Sequence, residues 1–202
     1  NVASIVVLAG LAIGCAEPPP EPPSSANVEP ERPGYTGSES CRECHERFYQ
    51  LWAPSHHGLA MQPFTPELAR TELTPQNEAM EIEGVRYRAV FDDIGGRITE
   101  RGPEGEKSHA ITYALGGKNV YYFLTELERG RLQTLPLAYD VVAEEWFDMT
   151  GSAVRHFVHA EDEALDWREW PYTFNTGCHG CHVSQLQTNY DLATDTYRST
   201  WT

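Results

Sequence analysis

Two five-residue stretches of this 202-residue chain repeat one chemical arrangement: Cys41-Arg42-Glu43-Cys44-His45 and Cys178-His179-Gly180-Cys181-His182. Both read C-x-x-C-H, the attachment signal of a c-type haem. On one helical turn, positions i, i+3 and i+4 share a face, so two thiols and an imidazole point the same way. The thiols can add to the two vinyl groups at a porphyrin edge while the His nitrogen takes the iron from below. The expected cofactor is therefore haem c, two copies in this stretch. Cys41, Cys44, Cys178 and Cys181 are the covalent anchors, and His45 and His182 the proximal iron ligands.

Paired cysteines serve other chemistries too. Two C-x-x-C pairs can form a tetrahedral zinc site with four thiolates, and each pair alone can be a redox dithiol. The His directly after each second Cys argues against both, because only 8 of the 202 residues are His. The pairs also lie much farther apart in the chain than the ~15–20 residues of a zinc ribbon. Haem is the reading that uses every residue of the motif.

The elements that must position these residues can be read from the flanking sequence. Ser40 followed by Glu43 has the S-x-x-E form of a capping box, which predicts a helix opening at the first motif. Cys41, Cys44, His45, Phe48, Leu51 and Trp52 recur at helical spacing and make one apolar face. Pro54 ends that helix, and Ser55 is placed to cap a second, short one over 55–61, stopped by Pro63. His57 and Met61 would then sit four apart on one side of it. From 79 to 150 the pattern changes to alternation: Val85, Tyr87, Ala89 and Phe91 against Arg86 and Arg88. Asp92-Asp93 and Gly95-Gly96 turn the chain into 97–101. Further strands are expected over 110–115, 119–124 and 131–137, split by Gly116-Gly117 and Arg129-Gly130. The fold class is α+β, with short haem-binding helices at both ends of a small antiparallel β insert and much irregular structure. The domain is divided as 35–78 (first haem segment), 79–150 (β-rich insert) and 151–202 (second haem segment). Phe48, Trp52, Trp167 and Trp170 are the aromatics expected to flank the haems.

Residues 1–14 are uncharged and mostly apolar. They are short of the ~20 needed to cross a bilayer but fit the apolar region of a secretory signal. With no initiating Met and no basic region before them, the amino terminus reads as cut off. Leu11-Ala12-Ile13-Gly14-Cys15 resembles a bacterial lipobox, which makes Cys15 the candidate lipidation site; a plain signal peptide and a truncated membrane anchor are the alternatives. Residues 15–34 form a Pro-rich linker, and 17–33 holds seven of the fourteen prolines, a stiff spacer. Acidic residues outnumber basic ones 30 to 15, for a net charge of −15. Such a balance disfavours binding to a nucleic-acid backbone and favours encounter with redox partners that carry basic docking surfaces.

The chain resembles bacterial multihaem c-type cytochromes of the kind often fused to tetratricopeptide repeats. The resemblance rests on YTGSESCRECHERFYQLWAPSHHGLAM, ALGGKNVYYFLTELERGRLQTLPLAYD, EEWFDM and TFNTGCHGCHVSQLQTNYDLATDTYRSTW, which together span most of 35–201. Family members usually continue into another C-x-x-C-H after the equivalent of Trp201, so the chain also reads as stopping in mid-course. In this family a W-x-x-S-x-H element often supplies a distal iron ligand. Trp52-Ala53-Pro54-Ser55-His56-His57 matches it, which implies His57 for one haem. His156, or failing that His159, is the expected distal ligand of the other, with His56, Met61, His109 and His179 as alternatives.

Three functions compete on this evidence. The first is an extracytoplasmic electron-transfer cytochrome, anchored to a membrane by lipid, with both irons six-coordinate. The second is a multihaem reductase with one open iron, and the third a zinc-binding lipoprotein. No acid–base pair or activated nucleophile stands beside either motif, and spare His residues suffice for both distal positions. Both facts favour electron transfer.

Overall fold

The computed structural model describes residues 37–201. The lipobox-like Cys15, the apolar 1–14 and the Pro-rich 15–34 segment lie outside the described residues. A 3-10 turn (Ser38–Cys41) leads into α1 (Arg42–Trp52). There follow β1 (Gln62–Pro63), α2 (Pro66–Glu72), β2 (Met80–Ile82), β3 (Val85–Phe91), β4 (Gly96–Gly102) and β5 (Gly105–Ile111). Then come β6 (Tyr113–Gly116), β7 (Val120–Glu126), β8 (Leu132–Asp140), β9 (Glu145–Asp148), the small hairpin β10 (Val154–Arg155) and β11 (Glu163–Ala164), and finally α3 (His179–His182).

The strands build a five-stranded sheet in the order β1-β6-β7-β8-β9 and a four-stranded sheet in the order β2-β3-β4-β5, all pairs antiparallel. Successive side chains of a strand point to opposite faces, and β7 uses both. Tyr121 and Phe123 enter the main core with Tyr87, Ala89 and Ile98 of the other sheet and Leu68, Ala69 and Leu73 around α2. Leu124 instead joins Leu115, Leu132 and Phe174 in a second cluster on the opposite face. Burying each such Leu or Phe contributes about 1.5–3 kcal/mol. The central sheet is therefore a partition. One face packs on the four-stranded sheet and α2, the other on the segment that carries the second C-x-x-C-H.

α2 starts where a cap and a proline coincide: the Thr65 hydroxyl accepts from the Leu68 N–H (3.1 Å), and Pro66 occupies the first turn. β8 holds Pro136 inside a buried strand. The pairing with β7 shifts register between Tyr122 and Leu124, and Pro136 falls in that irregular stretch, where no ladder donor is required of it. Its carbonyl still accepts from the Met149 N–H (2.9 Å).

The α+β class stands as expected, with two larger sheets in place of one small one. The strands expected at 85–91, 97–101, 119–124 and 131–137 are present. The single strand expected over 110–115 is two strands, β5 ending at Ile111 and β6 starting at Tyr113, one in each sheet. Helical winding begins with the 3-10 turn at Ser38, before the expected cap, and α1 itself starts at Arg42. Ser40 donates its hydroxyl to the Gly37 carbonyl (2.7 Å), and neither Gly37 nor Cys41 caps through a side chain. No helix forms over 55–61. Ser55 Oγ accepts from Gly58 N–H (3.3 Å) and caps a turn. Gly58 is pressed so close to the preceding backbone that a Cβ would lie 2.4 Å from the Ala53 carbonyl oxygen and 2.5 Å from that of Trp52. A continuing helix does not bring its backbone back on itself in this way.

Candidate haem centre

The second motif is the more firmly positioned. α3 is one turn long, with Cys178 at its N-cap. Cys178 is half-buried and packs against the cluster of Leu115, Leu124, Leu132 and Phe174. Burial pushes its thiol above the ordinary value, opposed by a hydrogen bond with the Thr134 side chain. Cys181 is exposed. His182 Nδ1 lies 2.6 Å from the Ala60 carbonyl oxygen. A carbonyl only accepts, so Nδ1 carries a proton, and in the neutral ring Nε2 is the nitrogen that keeps its lone pair. A hydrogen bond of this kind fixes the tautomer and ring orientation of an iron-ligating His.

That carbonyl comes from the turn after α1. Ala60 also accepts from the Gly116 N–H (3.1 Å), and Gln62 returns a side-chain bond to the Gly116 carbonyl (3.0 Å). The turn that follows the first motif is thus fastened to the end of β6 and, through it, to the second motif.

The approach to Cys178 is held by two fully buried amides that the sequence reading did not single out. Gln133 Nε2 donates to the carbonyls of Trp167 (2.6 Å) and Glu169 (3.0 Å), and its Oε1 accepts from Thr173 Oγ1 (2.9 Å). Asn175 Oδ1 accepts from the Leu132 N–H (2.7 Å), and its Nδ2 donates to Ser199 Oγ (2.8 Å) and the Gly130 carbonyl (3.3 Å). Both side chains are 0% exposed. A buried amide left unpaired is costly, so these bonds pin 167–175 to β8. An amide in a strand or loop is compositionally ordinary, and only the three-dimensional pairing reveals the clamp.

The first motif is presented differently. Cys41, Cys44 and His45 are exposed, and no residue of α1 is buried. His45 itself leaves helical geometry (φ −127°, ψ 42°), so the face shared with Cys41 and Cys44 is bent at that residue. Phe48 and Leu51 are 67% and 71% exposed, and Trp52 is half-buried. The apolar stripe is present on the helix, and among the described residues Phe48 and Leu51 are left largely uncovered.

The expected distal ligands are scattered. His56 and His57 are exposed in the turn after α1, whereas Met61 packs into the cluster around Cys178. His57 and Met61 therefore do not share a helix side, because the helix that would align them is a turn. His156 is exposed on the connection from β10 to β11, with Nδ1 2.8 Å from Asp162 Oδ2, and His159 is exposed on the same connection. His109 lies 3.0 Å from Glu100 and stacks edge-on to Trp167, while Glu100 also pairs with Arg168. His179 is half-buried, and its Nδ1 has no hydrogen-bond partner among the described residues. Trp167, expected beside a haem, is instead in the main core at 1% exposure, and Trp170 is 77% exposed. Among the described residues no three His, Cys, Asp or Glu side chains group to hold a metal ion. The four thiols are accordingly not gathered into one tetrahedral site. No described helix is long and apolar enough to cross a membrane.

Neither a protein-family model nor a curated protein sequence matches the chain. Among solved structures it is similar to the outer cell wall cytochrome OcwA, at 17% identity and a TM-score of 0.45 over 83% of this chain. The chain spans 29% of that protein's length.

The burial difference between the thiols has a measurable consequence. In protein made without a haem-attachment system, iodoacetamide should modify Cys181, Cys41 and Cys44 several-fold faster than Cys178 at pH 8. The thiolate is the nucleophile, and a raised pKa leaves less of it at any pH below that value. Peptide mapping over time tests this, and equal rates at all four positions would contradict the burial of Cys178.

Proposed function

We propose that this chain is a multihaem c-type cytochrome segment that relays electrons through two covalent haems, exported and held at a membrane by a lipidated Cys15. The observation that carries the reading is the state of His182. Its Nδ1 is held by the Ala60 carbonyl at 2.6 Å, which leaves Nε2 as the nitrogen for iron, one residue after an exposed Cys181 thiol. The other donors fit the group as well. Cys178 meets an apolar cluster suited to a porphyrin edge, and the uncovered Phe48 and Leu51 on α1 give a second macrocycle a surface to cover. Bound haem supplies a one-electron ferric–ferrous couple whose potential the axial ligands and their hydrogen bonds set. The residues of this chain would anchor it and orient the proximal imidazole of His182, and the turn after α1 ties the two motifs together. The acidic surface, at a net charge of −15, orients a basic redox partner.

Reduced protein from a strain with a working haem-attachment system is expected to carry two haems and to bind carbon monoxide poorly. Rapid stoichiometric binding at one iron would mean an open position and replace the relay with the reductase reading. A mass equal to the bare polypeptide would remove both. His57→Ala should convert one haem from low to high spin, and an unchanged spectrum would move the distal assignment to His56 or Met61. Cys15→Ala should release the full-length protein from membranes without detergent, and equal retention of both forms would count against lipidation.

A further inference from the structure

A cleft of about 670 Å³ opens on the side of the second haem segment, walled by Glu128, Arg129, Arg131, Trp170, Asp195 and Tyr197. Thr173 and Thr176 complete the lining, and the apolar cluster packed round Cys178 contributes no residue to it, so the cleft is distinct from that cluster. Its size falls within the ~300–1,000 Å³ of small-molecule sites. Trp170 stands in the wall 77% exposed, a large apolar surface left open to water.

The polar groups come in matched sets. Arg129 pairs with Asp195, and Arg131 stands 3.6 Å from Glu128. Two guanidinium groups and two carboxylates make the cleft neutral, in a protein whose net charge of −15 repels anions from a distance. An anionic ligand would meet that repulsion and two competing carboxylates. A cation would have to displace two arginines. A neutral ligand that both donates and accepts hydrogen bonds fits without displacing either partner, since charged groups make the stronger hydrogen bonds in both directions.

The wall is also rigid. Arg129 has φ +63° and Gly130 φ +70°. The Tyr197 N–H donates to the Arg129 carbonyl (2.8 Å), and a Cβ on Gly130 would lie 2.2 Å from the Tyr197 carbonyl oxygen. The Tyr190 hydroxyl (2.6 Å) and Arg129 hold the Asp195 carboxyl below its ordinary range, so the acceptor is ionised and fixed. A non-Gly residue held in the left-handed region is a strain that marks many ligand clamps.

We infer that this cleft binds an uncharged glycan, whose apolar ring face stacks on Trp170 and whose hydroxyls bridge the Arg129–Asp195 and Arg131–Glu128 pairs. Sugars with equatorial hydroxyls have the flat C–H face that an indole covers, so β-linked hexose chains are the class expected.

The test is calorimetric titration of the haem-loaded protein with cellotetraose and with chitotetraose. At least one should bind saturably, Trp170→Ala should weaken it tenfold or more, and Trp170→Tyr should retain most of the affinity. Because Trp170 is exposed, the alanine variant should keep its visible spectrum and thermal midpoint. Absence of saturable heat from both sugars would overturn the inference, and so would equal binding by Trp170→Ala. Trp170-dependent binding of 2-naphthoate with no response to either sugar would also overturn it, in favour of a planar anion.

Discussion

On the proposed attachment, alanine at both Cys178 and Cys181 should leave protein carrying one covalent haem instead of two, with the remaining haem resistant to acid–acetone extraction. A thioether needs its thiol, so the effect on that site is all or none. The reciprocal pair, Cys41→Ala with Cys44→Ala, should remove the other haem, yet the two variants should differ in stability. The second motif packs on the central sheet through Cys178 and the Leu115, Leu124, Leu132 and Phe174 cluster, so a missing haem there leaves a gap against buried side chains. α1 buries none of its residues, and loss of its haem should leave the sheets nearly as stable as before. Intact mass and thermal midpoints measured on the same samples decide the matter. Two haems retained in the Cys178/Cys181 variant would end the attachment reading. A larger fall in midpoint for the Cys41/Cys44 variant would contradict the packing argument.

Gln133→Leu should be the most damaging single replacement of a polar side chain. The residue is fully buried and serves three partners, the carbonyls of Trp167 and Glu169 and the hydroxyl of Thr173. Leucine fills similar space and supplies no bond. Each buried group left unpaired costs about 1–3 kcal/mol, and relaxation or an entering water offsets part of that. A net loss of about 3 kcal/mol is expected, or about 6–12 °C in midpoint at 2–4 °C per kcal/mol for a chain of this size. The damage should be directional: the second haem should be lost or shifted in potential while the first is spared. Denaturant unfolding and haem content, with the 79% exposed Val142→Ala as reference, test this. Surface changes usually stay within about 0.5 kcal/mol. A Gln133→Leu loss within that range would dismiss the clamp.

The motif on which the haem proposal rests is legible without a fold, because covalent attachment demands a fixed pentapeptide. Alternation likewise revealed β3, where Tyr87 and Ala89 are buried between exposed arginines. It misled at 110–115, because apolar residues continue through Thr112 while the chain passes from one sheet to the other. The strand expected at 131–137 is present as β8, although it is buried at nearly every position, carries no alternation and holds a proline that would ordinarily argue against a central strand. The 55–61 segment failed for a different reason. A capping serine satisfies a turn as well as a helix, and the close approach of Gly58 to the Trp52 and Ala53 carbonyls is a tertiary fact. What fastens the site, the Ala60 carbonyl, Gln133 and Asn175, involves partners 122, 34 and 43 residues away. No local pattern encodes contacts of that range.

The bond between His182 and Ala60 also imposes an order of manufacture. The two residues are separated by 122 positions, so as the chain is made from its amino end the first attachment helix emerges complete long before the second can be oriented. Contacts of long sequence separation form late and slowly. Cys41 and Cys44 sit on a helix that needs no sheet behind it, so on the proposed attachment that site would be open to haem loading while the rest of the chain is still arriving. The second imidazole acquires its orientation only after β6 has pinned the Ala60 turn in place. The attachment machinery should therefore meet the first motif as an accessible peptide and the second in competition with folding. A pause or a fold-slowing substitution in β7 or β8 would shift that competition without touching a cysteine.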